Sequence, residues 1–275
     1  MSSFAPSFVD AAAEIAREAG ALQMEYFGRV QVELKGQFDI VTEADRASEK
    51  LIVSRLRERF PAHAVVAEEG FGRDSASAEY RWYVDPLDGT TNFAHGFPMF
   101  NATLALEHNG ELVAGVIFDP LRNEMFSAEL GAGAFLNGSR ISVSHAPDLD
   151  SSLLATGFPS RKRHRNVNVY FFYQMAMMTH GVRRAGSAAL DLAYVACGRL
   201  DGYWEFGLSP WDMAAGVLLV REAGGVTSDM YGQPVDLRGP TVLTDNGHIH
   251  EEILREFAAI FRGEQKFTMP VISSE

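Results

Sequence analysis

Between Trp82 and Phe93 the chain has to be a strand, a turn and a helix start in quick succession. The run reads Trp82-Tyr83-Val84-Asp85-Pro86-Leu87-Asp88-Gly89-Thr90-Thr91-Asn92-Phe93. Apolar residues carry Asp85 to the carboxyl end of a strand. Pro86 has no N–H to give, so it ends ladder pairing, and Asp88-Gly89 turns the chain towards two threonines. Two carboxylates three residues apart on such a turn can converge on hard cations, which take oxygen ligands, and the Leu87 carbonyl between them is a further candidate. Gly89 lets the backbone approach a ligand, and free N–H groups at the following helix start suit a phosphate. Alone, Asp-Pro-x-Asp-Gly is a common turn. Its companions decide.

Val65-Val66-Ala67-Glu68-Glu69-Gly70 places a carboxylate at the end of another strand, where it could equally be solvated. Asp39-Ile40-Val41-Thr42-Glu43-Ala44-Asp45 offers a third acidic group, although Thr42 and Asp45 also have capping-box spacing. In Pro210-Trp211-Asp212 the carboxylate could simply cap the helix that follows. Each bland reading holds singly. All of them together are hard to sustain.

Around these positions helical and strand patterns interleave. Phe8, Ala12, Ile15, Ala19, Leu22 and Tyr26 mark one face of a helix stopped at Gly28. Thr42 opens a second helix, with Ala47, Leu51, Leu56 and Phe60 expected inside and Pro61 beyond it. Strands are expected at 64–67, 81–84, 102–106, 112–118 and 124–128, with a tight turn at Asn137-Gly138. Further on come strands at 153–156, ending at Ala185, 202–206, 226–228 and 242–244. Helices are expected over 167–179, 187–197, 211–223 and 248–261. The tail from Gly263 lacks periodicity.

The 275 residues are 47% hydrophobic and 22% charged, which excludes disordered and fibrous classes. The net charge of -12 argues against non-specific nucleic-acid binding, since a phosphate backbone needs a cationic face. An acidic chain can still hold a phosphate ester when divalent metal ions lie between them. A single cysteine, Cys197, allows neither an internal disulfide nor a cysteine zinc cluster, as expected of a cytoplasmic protein. Met1 to Asp10 does not read as a signal peptide, and no apolar run is long enough to span a membrane.

Taken in order, Asp39-x-Val-Thr-x-x-Asp45, Glu68-Glu69, Asp85-Pro-Leu-Asp-Gly-Thr-Thr91 and Trp211-Asp212 resemble the inositol monophosphatase family. The likeness extends through Asn92-Phe93-x-His95-Gly96-Phe97-Pro98 and His180-Gly181-Val182-Arg183-Arg184-x-Gly186-Ser187-Ala188-Ala189, and covers Asp39 to about Asn246. It implies an α/β fold, a layered αβαβα sandwich of the inositol monophosphatase and fructose-1,6-bisphosphatase type, found as a homodimer. Two lobes are expected: 1–145, with most metal ligands, and 146–275, completing the site. Two to three magnesium ions are implied per site. Glu68, Asp85 and the Leu87 carbonyl would bind the first, and Asp85, Asp88 and Asp212 the second. Glu68 would also touch a third, weaker ion. Thr90, linked to Asp45, would orient and help deprotonate the attacking water, with Glu68 completing the catalytic set. Gly89 and Thr90 would give N–H bonds to the phosphate. Ser187, Ala188 and Glu205 would face the alcohol, beside Asp88 and Asp212. The family often has threonine where this chain has Ser187, and the hydroxyl survives.

The implied reaction is hydrolysis of inositol monophosphate to inositol and phosphate by direct attack of a metal-activated water, inhibited by lithium. A phosphate monoester dianion repels hydroxide, so such a site must neutralise charge and align the nucleophile. Paired metals do both. No other phosphatase nucleophile is evident: Cys197 has no arginine six positions on, and Asp85 and Asp88 are three apart, not the two of aspartyl-phosphate enzymes. The same core serves fructose-1,6-bisphosphatase, histidinol phosphatase and 3′-phosphoadenosine-phosphate phosphatase, while Asn92 to Pro98 favours the inositol branch. A regulatory binding protein retaining the fold is the alternative from another class. The partner expected is a small phosphorylated polyol, with neither nucleic acid nor membrane. His95 is read as packing or bonding locally, and His248 and His250 as pointing to different sides of a helix. Arg161 to Arg165 is read as a solvated loop, and Tyr170 to Met178 as core or subunit interface. Gly131-x-Gly133 lacks the rest of a dinucleotide fingerprint.

Overall fold

The computed structural model describes residues 7–29, 32–34, 40–75, 77–158 and 166–268. Asp39 and the basic run Arg161 to Arg165 lie outside them. Helix α1 (Phe8–Tyr26) starts at Ser7, whose hydroxyl accepts from the Asp10 N–H at 3.1 Å. Strands β1 (Val32–Leu34) and β2 (Ile40–Thr42) form a small antiparallel pair and lead into α2 (Glu43–Arg59). Then come β3 (Ala64–Ala67), β4 (Tyr80–Asp88), the short α3 (Thr90–Ala94), β5 (Asn101–His108), β6 (Glu111–Asp119), β7 (Glu124–Glu129), β8 (Gly133–Leu136) and β9 (Ser139–Arg140). The second half runs β10 (Leu153–Thr156), α4 (Asn168–Ala176), β11 (Gly181–Arg183), α5 (Ala188–Ala196), β12 (Gly202–Phe206), α6 (Pro210–Glu222), β13 (Val226–Ser228), β14 (Thr241–Asp245) and α7 (His250–Phe261).

Strands β3 to β9 pair in chain order as a seven-stranded sheet, antiparallel except for β3–β4. The second sheet has five strands in the order β11-β10-β12-β14-β13. Side chains alternate across each sheet, and both faces of both sheets are covered. Trp82, Val84, Leu104 and Val116 face Ile15, Ala19, Ile52 and Leu56 of α1 and α2. Tyr83, Ala105, Ile117 and Phe126 face the opposite way, onto α5 and α6. From the far side Ala155, Tyr203 and Val242 meet the same two helices. Leu154, Trp204 and Leu243 point outward to Phe171, Met175, Ile253 and Phe257 of α4 and α7. The layers are therefore αβαβα, as the resemblance implies. Helix α6 is buried continuously from Met213 to Val220, which fits an apolar helix lying between two sheets.

Several boundaries and faces depart from the sequence reading. The buried face of α2 is Ala44, Ser48, Ile52, Val53 and Leu56, while Ala47, Leu51 and Phe60 are only half-buried. Because α1 and the sheet meet α2 from two directions, polar Ser48 and Glu49 go inside. Helix α4 ends at Ala176, and α7 starts at His250, leaving His248 before the helix. Strand β4 does not stop before Pro86. Its pairing with β5 skips from Asp85↔Thr103 to Asp88↔Asn101, three steps against two. That is a bulge of one residue, and the Gln23 amide of α1 covers the disturbed backbone by donating to the Pro86 carbonyl at 2.7 Å. At Asn137-Gly138 both residues have positive φ, as a two-residue hairpin between β8 and β9 requires.

Candidate active site

The bulge decides how the first two carboxylates meet. On a regular strand, residues three apart point to opposite faces. One extra residue restores the phase, and Asp85 and Asp88 come to lie close enough to act on each other electrostatically. Gly89 follows with φ +94, and an added Cβ would sit 2.6 Å from the Met99 carbonyl oxygen. A side chain is excluded there twice over, by conformation and by space. This sharp turn starts α3 at Thr90.

Asp45 uses both of its oxygens. Oδ2 accepts from the Thr42 N–H at 2.8 Å and from the Thr42 hydroxyl at 2.5 Å, which completes the capping box of α2. Oδ1 accepts from the Thr90 hydroxyl at 2.8 Å, and the Leu87 carbonyl lies 3.1 Å from the same hydroxyl. The helix cap and the link to Thr90 thus coexist in one side chain. Burial raises the Asp45 pKa, and the bonds from Thr42 and Thr90 hold it back.

Glu68 sits on the turn after β3. That turn is tied to α2 by Glu49, whose carboxylate accepts from the Glu69 and Phe71 N–H groups at 2.5 and 2.6 Å. Asp88 Oδ2 accepts from the Ser187 hydroxyl at 2.6 Å, from Asn101 Nδ2 at 2.9 Å and from the Ala189 N–H at 2.9 Å. Ser187 is the N-cap of α5, so this network locks the start of α5 against the end of β4. Asp212 occupies the first turn of α6 and accepts from the Ser209 N–H at 2.7 Å. Here too, capping and site position go together.

A cavity of about 200 Å³ opens between the halves. Glu68, Asp88, Gly89, Thr90 and Thr91 form one side, and Gly157, Phe158, Arg184, Gly186, Ser187, Ala188, Asp191, Glu205, Leu208 and Asp212 the other. Asp45, Asp85 and Leu87 sit behind that wall. Among the described residues, the fold therefore gathers the expected metal, catalytic and substrate positions, Asp45, Glu68, Asp85 to Thr90, Ser187, Ala188, Glu205 and Asp212, into one region. Ser187 lines the cavity, but its hydroxyl is committed to Asp88, Asn101 and the cap of α5. Glu205 is held by the Tyr203 hydroxyl, and Gly157 packs so closely on its carboxylate that a Cβ there would collide with it.

Sequence reasoning missed Asn101, Gly157 and Asp191, and gave Arg184 no role. Only Asp191 gave a local signal, as the one charge in the apolar helix Ala188–Ala196. Asn92 was quoted without a role. Its amide donates to the carbonyls of Met99 at 2.8 Å and Ala185 at 2.9 Å, joining α3 to the approach to α5.

The electrostatics call for cations. Burial, then Glu68, Asp88 and Asp212, push the Asp85 carboxyl well above its ordinary pKa, and no cation is among the groups acting most strongly on it. Asp212 is likewise driven well above, first by burial and further by Asp88, Glu68 and Glu205, against the Ser209 N–H. Asp88 is raised by burial despite its hydrogen bonds. Glu205 reaches about 7, through burial and Asp88, opposed by Tyr203 and Arg184. Among the described residues no three Asp, Glu, His or Cys side chains close into a ready-made metal cage. Magnesium does not need one, because it keeps several waters and takes one or two carboxylates per ion. An all-oxygen donor set of mutually repelling carboxylates fits it.

Three comparisons bear on this site. A model described as the inositol monophosphatase family matches residues 6–262. An inositol-1-monophosphatase of Synechocystis sp. is 45% identical over 93% of this chain and 92% of its own length. A protein of Pseudomonas aeruginosa named Nus factor SuhB is 46% identical over 87% of this chain and 91% of its own length. The solved inositol monophosphatase of Anabaena superposes with a TM-score of 0.83 at 42% identity, covering 93% of this chain and 95% of that one.

Proposed function

The chain belongs to the inositol monophosphatase family, and from that premise we propose that it hydrolyses inositol monophosphate to inositol and phosphate with magnesium. The observation that carries this reading is the Thr90–Asp45 hydrogen bond beside the buried carboxyls Asp85, Asp88 and Asp212, with Glu68 near enough to raise the proton affinity of Asp85 and Asp212. Glu68, Asp85, Asp88, Asp212 and the Leu87 carbonyl would hold two to three magnesium ions. When bound, these would neutralise the ester dianion and lower the pKa of a water.

The protein's own residues do the rest. Thr90 Oγ1 accepts a hydrogen bond from the attacking water, because its own proton is turned to Asp45. The water proton passes to Thr90 as the Thr90 proton moves to Asp45, whose raised pKa suits it to receive one. The N–H groups of Gly89 and Thr90 hold the phosphate at the start of α3. Ala188 and Glu205 adjoin the alcohol, and Ser187 keeps Asp88 in place. The homodimer and the cytoplasmic setting belong to the same reading. A binding role beside catalysis is the second reading, favoured by the relative named a Nus factor.

A phosphate-release assay on inositol 1-phosphate, fructose 1,6-bisphosphate, histidinol phosphate and 3′-phosphoadenosine phosphate, with and without magnesium, tests the proposal. Turnover is expected with magnesium and highest for inositol 1-phosphate; no turnover of any ester would end the enzymatic reading. Lithium chloride should inhibit at concentrations where sodium chloride does not, by competing near Asp88 and Asp212. Equal tolerance of the two salts would count against that site. Glu205→Gln should change the ranking of alcohols more than it changes magnesium dependence, since Glu205 stands on the far side from Glu68 and Thr90. A uniform loss with weaker magnesium binding would move Glu205 into the metal set.

A further inference from the structure

Asp191 presents a carboxyl group that the reaction described above does not use. It lies in the first turn of α5, a helix otherwise built from apolar residues, and is 2% exposed. Its side chain has no hydrogen-bond partner among the described residues, yet it lines the cavity. A buried carboxyl left unbonded is costly, and the favourable field of a helix N-terminus offsets only part of that cost. The atom is aimed at whatever fills the cavity.

Ser187 and Asp191 lie one turn apart on the same face of α5. The Ser187 hydroxyl is already spent on Asp88 and Asn101, so Asp191 is the next polar side chain along that face able to meet a ligand. Across from it stands Glu205, fixed by Tyr203 and backed by Gly157, near enough to raise the proton affinity of the Asp191 carboxyl, which Arg184, also lining the cavity, opposes.

We infer that Asp191 determines specificity: with Glu205 it forms a two-carboxyl floor that hydrogen-bonds the hydroxyl groups of an uncharged polyol esterified to phosphate. This rests on the phosphatase reading and names the part of the substrate that the far end of the cavity recognises. Esters whose alcohol carries no further hydroxyls gain nothing from Asp191, and it takes no part in proton transfer at Thr90.

The test compares inositol 1-phosphate with p-nitrophenyl phosphate in saturating magnesium, for the wild-type protein, Asp191→Ala and Asp191→Asn. Asp191→Ala is expected to raise KM for inositol 1-phosphate about ten-fold, the loss of one hydrogen bond to substrate. Its kcat should stay within about three-fold, with both constants for p-nitrophenyl phosphate unchanged. Asp191→Asn keeps bonding atoms at the same reach and should remain within about three-fold of wild type throughout. If alanine destabilises α5, Asp191→Leu keeps the volume without bonding atoms and is read the same way. Equal shifts for both esters, or none for either, would overturn the assignment of Asp191 alone. Wild-type protein that cleaves no polyol phosphate would overturn the phosphatase reading on which it stands.

Discussion

Replacing Asp85 with asparagine is expected to reduce turnover to near the detection limit while leaving the metal-free fold intact or somewhat more stable. Asparagine suits the turn as well as aspartate does, so loss of activity with retained folding separates a ligand from a turn former. Asp85 is buried among Glu68, Asp88 and Asp212, and removing one negative charge relieves repulsion that a bound metal ion or an added proton otherwise relieves. Magnesium at a hundred times its dissociation constant stabilises the folded state by about 2.7 kcal/mol per site. In a chain of this size that raises the melting temperature by roughly 5–10 °C. The wild-type protein should show a shift of this order, and Asp85→Asn a much smaller one.

The same carboxyls predict a direction with pH. Their folded pKa values lie above the ordinary aspartate value, so the folded protein binds more protons than the unfolded chain between the two. Stability then falls as pH rises. The contribution is complete below the unfolded pKa and is lost through the folded values, which for Glu205 means about 7. In chelator, melting temperature should therefore decline from about pH 5 to about pH 8, less steeply in Asp85→Asn. Equal magnesium shifts in the two proteins, together with retained activity, would return Asp85 to the role of a turn residue.

Thr90→Ala should lower kcat by about 10²-fold or more, a usual loss for a group that manages proton transfer. KM should move little, because the N–H groups at the start of α3 remain. Thr90→Ser restores the hydroxyl beside Asp45 and should recover most of the activity. A kcat for the alanine variant within two-fold of wild type would remove Thr90 from the proton path.

The parts of the site legible in the sequence were those whose reason is local. Asp85, Pro86, Asp88 and Gly89 announce a strand end and a turn, and Thr42 with Asp45 announces a helix start, whatever surrounds them. The bulge was not legible. Whether β4 resumes pairing past Pro86 depends on Asn101 at the start of β5 and on Gln23, which reaches over from α1. The direction of the Ser187 hydroxyl depended on Asp88, far away in the chain. The buried face of α2 was misjudged for a similar reason. Glu49 goes inside to hold the Glu68 turn, and hydrophobicity alone cannot foresee a buried carboxylate with backbone partners.

Asp45 and Asp212 each complete a capping box, one for α2 and one for α6. A laboratory selection for heat resistance therefore has no free hand at these two helix starts, although caps elsewhere are common places to gain stability. A catalytically silent protein meant for fishing out binding partners should likewise not be made there. Asp45→Ala would sever the Thr90 link and loosen α2 in one stroke, because the Thr42 N–H and hydroxyl would lose their partner, and a missing partner could then be blamed on either. Asp85 and Thr90 cap no helix with their side chains, so silencing the protein there leaves its surface for the partner to judge.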